Sequence, residues 1–131
     1  GTLRRLYSVD TWKREEVYKA WEETVKKSGC WFYSISAKSS SQEWFKKHPN
    51  TMFDLIFIDG DHKEPTITQD FTASYACLNP GGWLAMHNVE NNFKSVLRVW
   101  ETNKHLFSST GQVLSLAYGR KPDARPSYTP I

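Results

Sequence analysis

The chain has 131 residues, a length that fits one domain with its own hydrophobic core. Its 17 basic and 14 acidic residues give a net charge of +3, and they are scattered rather than clustered as in nucleic-acid binders. No apolar run approaches the roughly 20 residues needed to span a bilayer, and the first residues lack a signal-peptide hydrophobic region. We therefore expect a cytoplasmic protein that binds neither nucleic acid nor a membrane.

Hydrophobic periodicity predicts strands and helices that alternate along the chain. In chain order, the predicted elements are a strand at 3–10, a helix at 13–28, a strand at 30–36, a helix from the serines at 39–41 through His48, a strand at 52–59, a helix at 66–78, a strand at 83–87, a helix at 92–105 and a strand at 112–119. This alternation predicts an α/β fold whose sheet is mostly parallel, with helices on both faces and an antiparallel last strand.

Two of these segments carry the clearest signals. An apolar residue recurs every fourth position across the helix predicted at 13–28. The strand predicted at 52–59 is almost continuously apolar, as expected of a central parallel strand covered on both faces. Cys30 and Cys77 have no nearby thiol, so we expect both to be buried and reduced.

Polar side chains follow four of the predicted strands. These strand ends are Asp10 with Thr11 and Trp12, Ser36 with Ala37, Asp59 to His62, and His87 to Asn91. In an open parallel sheet, ligands bind in the crevice outside the carboxyl ends of the strands. We therefore expect these polar groups to share one edge of the sheet, where a binding or catalytic site would form.

Three sequence segments resemble a known family. They are FDLIFIDGDH at 53–62, the helix with Asp70, and LNPGGWLAMHN at 78–88. This pattern is similar to class I S-adenosylmethionine-dependent methyltransferases, in a subgroup with sugar and macrolide O-methyltransferases whose usual motifs are IDGDH, LxPGG and a strand ending in HD. The resemblance covers roughly residues 6–119 and implies a Rossmann-like fold with S-adenosylmethionine as cofactor.

The resemblance also implies which residues bind that cofactor. Asp10 matches the acidic residue that accepts hydrogen bonds from the ribose hydroxyls, a task that suits a carboxylate because it has two accepting oxygens. Trp12 and Ala37 match positions that border the ribose and the adenine, and Ser36 lies where a hydroxyl would bond near the base. Asp59 matches the acid at the end of the catalytic strand.

The same family pattern implies a catalytic cluster after the next two strands. His62 is the expected general base, with Asp59 and His87 beside it, because a histidine with an ordinary pKa of ~6.5 accepts protons at neutral pH. Asp59, Asp61 and Asn88 would hold a divalent, magnesium-like ion through oxygen ligands. The implied reaction is O-methylation of a small hydroxylated or sugar-like acceptor.

This sequence departs from the family pattern in two ways. Asn88 stands where an aspartate is usual, and no GxGxG strand and loop precedes Leu3. The absent first strand and helix would belong at the sheet centre, between the strands that end at Asp10 and Asp59. A fragmentary polypeptide, direct pairing of the two flanking strands, or a strand lent by a second chain would each account for the gap. We accordingly expect a truncated domain at 1–119 and a Pro-rich tail at 120–131.

Each candidate residue also has a plainer structural explanation. Asp10 would serve equally as a helix or turn cap, and Asp61 with His62 would serve as the start of a turn. His87 would be an ordinary core histidine at a strand end, and the turn at 79–82 needs only its proline and glycines. The alternative function is therefore a catalytically inactive methyltransferase-like remnant that binds a partner or forms a homodimer through its open sheet edge.

Overall fold

The structure is a computed structural model, and it describes residues 4–124. Six strands and four α-helices alternate within those residues, which confirms the predicted α/β class. The chain divides into two compact units, residues 1–48 and 49–131, each with its own sheet. In residues 4–124, no helix is long and apolar enough to cross a membrane.

The first unit consists of two parallel strands and two helices. These elements are β1 (Leu6–Asp10), α1 (Glu15–Ser28), β2 (Ser34–Lys38) and α2 (Ser41–Lys47). Gly29 ends α1 with φ of 79°, a conformation that glycine adopts without steric cost. Ser40 caps α2 by accepting a hydrogen bond from the Glu43 backbone, as the serine cluster predicted. Asp10 pairs with Lys38, so both strands end at the same edge.

Aromatic packing holds the first unit together. Trp12, Val25 and Trp44 are buried. The Trp12 ring lies 5.0 Å from that of Tyr18 and 5.5 Å from that of Trp21, measured between centroids. Aromatic pairs at such distances contribute about 0.5–1.5 kcal/mol each beyond the area they bury. The loop after β1 is therefore fixed by its own tryptophan.

The prediction of a strand over 30–36 is wrong in its first half. Trp31–Tyr33 forms a 3₁₀ turn, closed by a hydrogen bond from Tyr33 N to Cys30 O, and β2 begins only at Ser34. Because Gly29 reverses the chain just before this turn, the aromatic run does not enter the sheet, and Phe32 is 93% exposed. Cys30 is likewise exposed, contrary to the expectation of burial.

The second unit carries a mixed four-stranded sheet. Its elements are β3 (Phe53–Ile58), α3 (Thr66–Ala76), β4 (Leu78–Met86), α4 (Lys94–Asn103), a 3₁₀ turn (Lys104–Leu106), β5 (Ser109–Val113) and β6 (Leu116–Arg120). The strand order is β3-β4-β6-β5, with β3 and β4 parallel and the other two pairings antiparallel. The expected antiparallel last strand is confirmed.

One face of this sheet forms the main core. Along β4, Leu84 and Met86 are completely buried, whereas Trp83, the residue before Leu84, is 39% exposed. The buried side chains pack against α3 and α4, and their cluster comprises Ile58, Ile67, Phe71, Leu78, Leu84, Met86, Val89, Val96, Val99, Trp100, Phe107 and Ala117. Burying one such large side chain contributes about 1.5–3 kcal/mol, so this core stabilises β3 and β4 as a pair.

Two local predictions in this unit need correction. The turn expected at 79–82 is an irregular part of β4, which begins at Leu78 and resumes regular pairing at Trp83. The single strand predicted at 112–119 is instead a hairpin that turns at Leu114 and Ser115. Its first strand escaped prediction because Ser109–Val113 is polar and contains a glycine.

The tail was predicted to begin at residue 120, and its first residues are part of the sheet or contact it. Arg120 is the last residue of β6, and Lys121 N still donates to Gly82 O. The Lys121 ammonium donates to the carbonyl oxygens of Tyr75, in the last turn of α3, and of Leu78, the first residue of β4. The start of the expected tail is therefore part of the fold, and residues 125–131 lie outside the described residues.

The cysteine at the end of α3 behaves as predicted. Cys77 is buried and free. Burial raises the pKa of its thiol, although the nearby charge of Lys121 acts in the opposite direction. Such a thiol is a core residue rather than a nucleophile, because nucleophilic cysteines need a lowered pKa.

The two strands that would flank the absent strand each pair within their own unit. Within residues 4–124, β1 pairs with β2 alone, and β3 pairs with β4 alone. Direct pairing of the two flanking strands stays a prediction. A fragmentary polypeptide and a strand lent by a second chain remain predictions.

Candidate active site

The ends of β3 and β4 bring two predicted catalytic residues together. Ile58 pairs with Met86, and the backbone continues with a hydrogen bond from His87 N to Ile58 O of 3.1 Å. The next side chains therefore meet, with 3.3 Å between Asp59 Oδ1 and His87 Nδ1. Both side chains are partly exposed, at 49% and 43%. Because a carboxylate oxygen accepts, His87 Nδ1 is the donor, and His87 Nε2 is left to accept a proton.

A second histidine pair lies in the loops that follow these strands. His62 Nε2 is 2.8 Å from Asn88 Oδ1, and both residues are half-buried. The ring of Phe93 lies 4.5 Å from that of His62, at an angle of 47°. This contact joins residues 26 positions apart, so a local turn does not explain it. The predicted base is thus held by one polar and one aromatic neighbour.

Buried packing anchors the loop that carries Asn88. Val89 is 2% exposed, and its backbone N–H donates to Ser115 O in the hairpin turn at 2.9 Å. The Gln112 side-chain amide donates to Val89 O at 3.0 Å and to Leu114 O at 3.0 Å. The β5–β6 hairpin and the core therefore fix this loop from two sides.

Asp61 has a structural role in its own loop. Its Oδ1 accepts a hydrogen bond of 3.0 Å from Lys63 N, two residues ahead, which is the geometry of an Asx turn. The side chain is otherwise exposed. This arrangement supports the plainer explanation of Asp61 as a turn residue.

The donor atoms of this cluster do not fit the predicted divalent cation site. Asp59 faces His87, Asn88 faces His62, and Asp61 faces a backbone amide. No group of three His, Cys, Asp or Glu side chains in residues 4–124 is arranged to hold a metal ion. Hard cations such as Mg²⁺ need several oxygen ligands that converge on one point.

Four of the five residues expected to bind the cofactor, Asp10, Trp12, Ser36 and Ala37, lie in the first unit, and the fifth, Asp59, lies in the second. Asp10 Oδ1 accepts a hydrogen bond of 2.8 Å from Trp12 N, and Trp12 has φ of 42°. A shallow depression of about 200 Å³ is lined there by Asp10, Thr11, Trp12, Lys13, Arg14 and Val17. Ligand pockets usually measure ~300–1,000 Å³, so this depression is smaller than a typical ligand pocket. Trp12 is mainly a core residue, because it is only 5% exposed.

Two further candidates, Ser36 and Ala37, lie within β2, which ends at Lys38 rather than at Ser36 as predicted. Ser36 Oγ lies 3.4 Å from the hydroxyl of Tyr18 on α1. Ala37 is half-buried and pairs with Val9 in the parallel ladder. The backbone of Ser39 donates to Asp10 O at 2.8 Å, which fixes the end of β1 to the end of β2. The ends of the two strands therefore meet at Asp10 and Ser39, whereas Ser36 lies in the middle of β2 and pairs with Ser8.

Sequence reasoning assigned no role to two residues beside the catalytic cluster. Phe93 contacts His62, and a phenylalanine at a helix start carries no signal of that contact. Asp70 is 7% exposed on α3, and its Oδ2 lies 3.5 Å from the position that a side-chain carbon on Gly60 would occupy. An acidic residue among the buried side chains of a helix was the available signal, and it places Asp70 against the loop that follows β3.

A match to a family model over most of the chain shows which family the chain belongs to. Residues 1–89 match the family described as a methyltransferase domain. That match includes β1 to β4 and the residues up to Val89. The chain belongs to this methyltransferase family. No curated protein sequence matches it as a relative.

Solved structures of methyltransferases share the fold of this domain. The TDP-rhamnose 3'-O-methyltransferase of calicheamicin biosynthesis is 16% identical with a TM-score of 0.68, over 90% of this chain and 58% of that chain. The O-methyltransferase TomG from Streptomyces achromogenes, solved with SAM, is 13% identical with a TM-score of 0.67, over 89% and 62%. A SAM-dependent O-methyltransferase from Thermotoga maritima is 16% identical with a TM-score of 0.61, over 94% and 52%.

At these low sequence identities, the structural similarity shows a shared fold. The methyltransferase domain spans less than two thirds of each of the three longer proteins.

Replacing Val89 by alanine tests whether the core of the methyltransferase domain holds the loop that carries Asn88. We expect Val89→Ala to lower the free energy of unfolding by about 1–3 kcal/mol, because it leaves a cavity at a buried site. Val113→Ala is the matched control, since Val113 is 60% exposed in the hairpin that anchors the same loop. Urea unfolding followed by tryptophan fluorescence measures both variants. Equal stability of the two would contradict the assigned role of Val89.

Proposed function

We propose that the protein is an S-adenosylmethionine-dependent methyltransferase that methylates a hydroxyl group of a small hydroxylated or sugar-like acceptor. The observation that carries the proposal is the pair of histidines at the ends of β3 and β4, each held through one ring nitrogen, within a methyltransferase family fold. A hydroxyl acceptor must lose its proton during methylation, and a histidine with one free nitrogen is suited to take it.

When bound, S-adenosylmethionine supplies a methyl group whose bond to sulfur breaks as the bond to the acceptor oxygen forms, which leaves S-adenosylhomocysteine. The residues of the chain position the acceptor and remove its proton. In this proposal His62 takes the hydroxyl proton, and Asp59 and His87 form a second polar pair beside it. Most of the rate gain in such a transfer comes from holding the reactants in line.

Asp10 is the proposed contact to the cofactor ribose. One of its carboxylate oxygens already accepts from Trp12 N, which orients the side chain at the end of β1. Asp10 is exposed and borders the depression at that strand end, so its other oxygen is placed to accept from a ribose hydroxyl. The resemblance to methyltransferases supports Ser36 and Ala37 as neighbours of the adenine.

Binding of S-adenosylhomocysteine, measured by isothermal titration calorimetry, tests the cofactor proposal. We expect micromolar binding, and we expect Asp10→Asn to weaken it by about tenfold or more, because charge-assisted hydrogen bonds contribute about 1.5–3 kcal/mol. Asparagine keeps the oxygen that accepts from Trp12, so the loop is preserved. Asp123→Asn, at an exposed site, is the control and should leave binding unchanged. Equal affinity of the wild type and Asp10→Asn would remove Asp10 from the cofactor site.

Absent binding would support the other candidate, a catalytically inactive methyltransferase-like module. In that case, the exposed Leu55 and Phe57 on β3 are consistent with a homodimer that covers the edge of the sheet. Light scattering after size-exclusion chromatography would then show a dimer. A monomer that binds no S-adenosylhomocysteine would contradict both candidates.

Transfer of a radiolabelled methyl group tests the role of His62. The acceptors are a panel of nucleotide sugars and small phenols. We expect His62→Gln to lower the rate of transfer by about 10²–10⁴-fold, the usual contribution of a general base, while S-adenosylhomocysteine affinity stays the same. Glutamine keeps a donor for Asn88 but takes no proton at neutral pH. His105→Ala, at an exposed site, is the control. Unchanged turnover in His62→Gln would exclude His62 as the base.

A further inference from the structure

The two ring nitrogens of His62 have different environments. Nε2 lies 2.8 Å from Asn88 Oδ1. An amide oxygen has lone pairs and no proton, so the proton of this hydrogen bond belongs to the histidine ring. We propose that Asn88 is a positioning residue that holds neutral His62 with its proton on Nε2, so that Nδ1 is the atom that accepts a proton from the acceptor hydroxyl. The last step of this inference rests on the proposed methyl transfer.

The backbone at Asn88 is built to present the side chain in this way. Asn88 has φ of 63°, a left-handed conformation that asparagine and aspartate adopt more readily than other residues with side chains. Hydrogen bonds from His87 N to Ile58 O and from Val89 N to Ser115 O fix the residues on either side. The position of the carboxamide is therefore set by the strand ends and the hairpin.

Phe93 restrains the ring of His62 from another direction. The centroids of the two rings are 4.5 Å apart, so the imidazole packs against an aromatic side chain at the start of α4. Turning the imidazole over would place a carbon atom against Asn88 Oδ1 and lose the hydrogen bond of 2.8 Å. Asn88 and Phe93 together select one orientation of His62.

The neighbouring histidine shows the opposite arrangement and serves as an internal reference. His87 faces Asp59 Oδ1 through Nδ1, so its neutral ring carries the proton on Nδ1. The two histidines are thus assigned opposite neutral forms by their hydrogen-bond partners. Asn88, which replaces the aspartate usual at this position in the resembling family, acts in this proposal on a histidine rather than on a cation.

Nitrogen NMR of the histidine rings tests the assignment without a substrate. At about pH 9, where an ordinary imidazole is neutral, we expect His62 to show a protonated Nε2 with a ring N–H signal protected from solvent exchange. Asn88→Gly keeps the left-handed backbone and removes the acceptor, so the protected signal should disappear. Asn88→Asp keeps an accepting oxygen and should retain it. In both variants the signals of His87 should stay unchanged, which shows that the strand ends are intact.

Two results would overturn the inference. One is a wild-type His62 that carries its proton on Nδ1, and the other is an Asn88→Gly variant whose His62 signals match the wild type. A separate kinetic arm addresses the link to methyl transfer. Where transfer is measurable, Asn88→Gly should lower kcat by about tenfold or more and Asn88→Asp should restore it. If the NMR result is as expected but no methyl transfer is detected, the proposed function is refuted. The hydrogen-bond assignment then still stands.

Discussion

The parallel pairing of β3 with β4 on a buried core is the constraint on which the candidate catalytic cluster depends. Leu84 and Met86 of β4 are completely buried, and Ile58 of β3 pairs with Met86 at the last regular position of the ladder. The residue that follows each strand is a polar one, Asp59 or His87. Apolar burial below the strand ends therefore fixes the positions of polar groups above them, at a cost in desolvation that is small because the groups remain partly exposed.

The candidate residues make two kinds of contact: those within a turn, and those that depend on the tertiary fold. Asp61 satisfies the amide of Lys63, and Asp10 satisfies the amide of Trp12, each two residues ahead. Such contacts arise wherever an aspartate begins a turn. The pair of His62 and Asn88 needs two strands in register and a hairpin that anchors the second loop, so it depends on the tertiary fold. The contact between His62 and Asn88 therefore supports the proposed function more strongly than the contacts of Asp10 and Asp61 do.

The sequence predicted the bounds of β3 best, because its apolar run is continuous, although β3 is an edge strand of its sheet and its Leu55 and Phe57 are exposed. The strand predicted at 52–59 differs from β3 by one residue at each end. The hairpin was merged into one strand, because Ser109–Val113 is a polar edge strand with no alternating pattern to mark it. The aromatic run at 30–36 was assigned wholly to a strand, because hydrophobic composition alone does not distinguish a 3₁₀ turn after a glycine from a buried strand.

The sequence identified the candidate residues but did not show which of them contact each other. Asp59, His62 and His87 were expected to act near one another, and the fold of the second unit brings Asp59 to His87 and His62 to Asn88. Which side chain meets which depends on the register between β3 and β4, because a one-residue shift would turn the side chains of the shifted strand to the opposite face. Asn88 was predicted as a cation ligand, and in the fold its Oδ1 lies 2.8 Å from His62 Nε2.

Amide hydrogen exchange across the second unit tests most directly whether the core holds the strand ends. If it does, the amides of His87 and Val89 exchange as slowly as those of Leu84 and Met86, because all four open only when the sheet unfolds. Exchange of His87 and Val89 at the fast rate of Leu114, which is 92% exposed at the hairpin tip, would contradict the account. The catalytic loop would then move independently of the core.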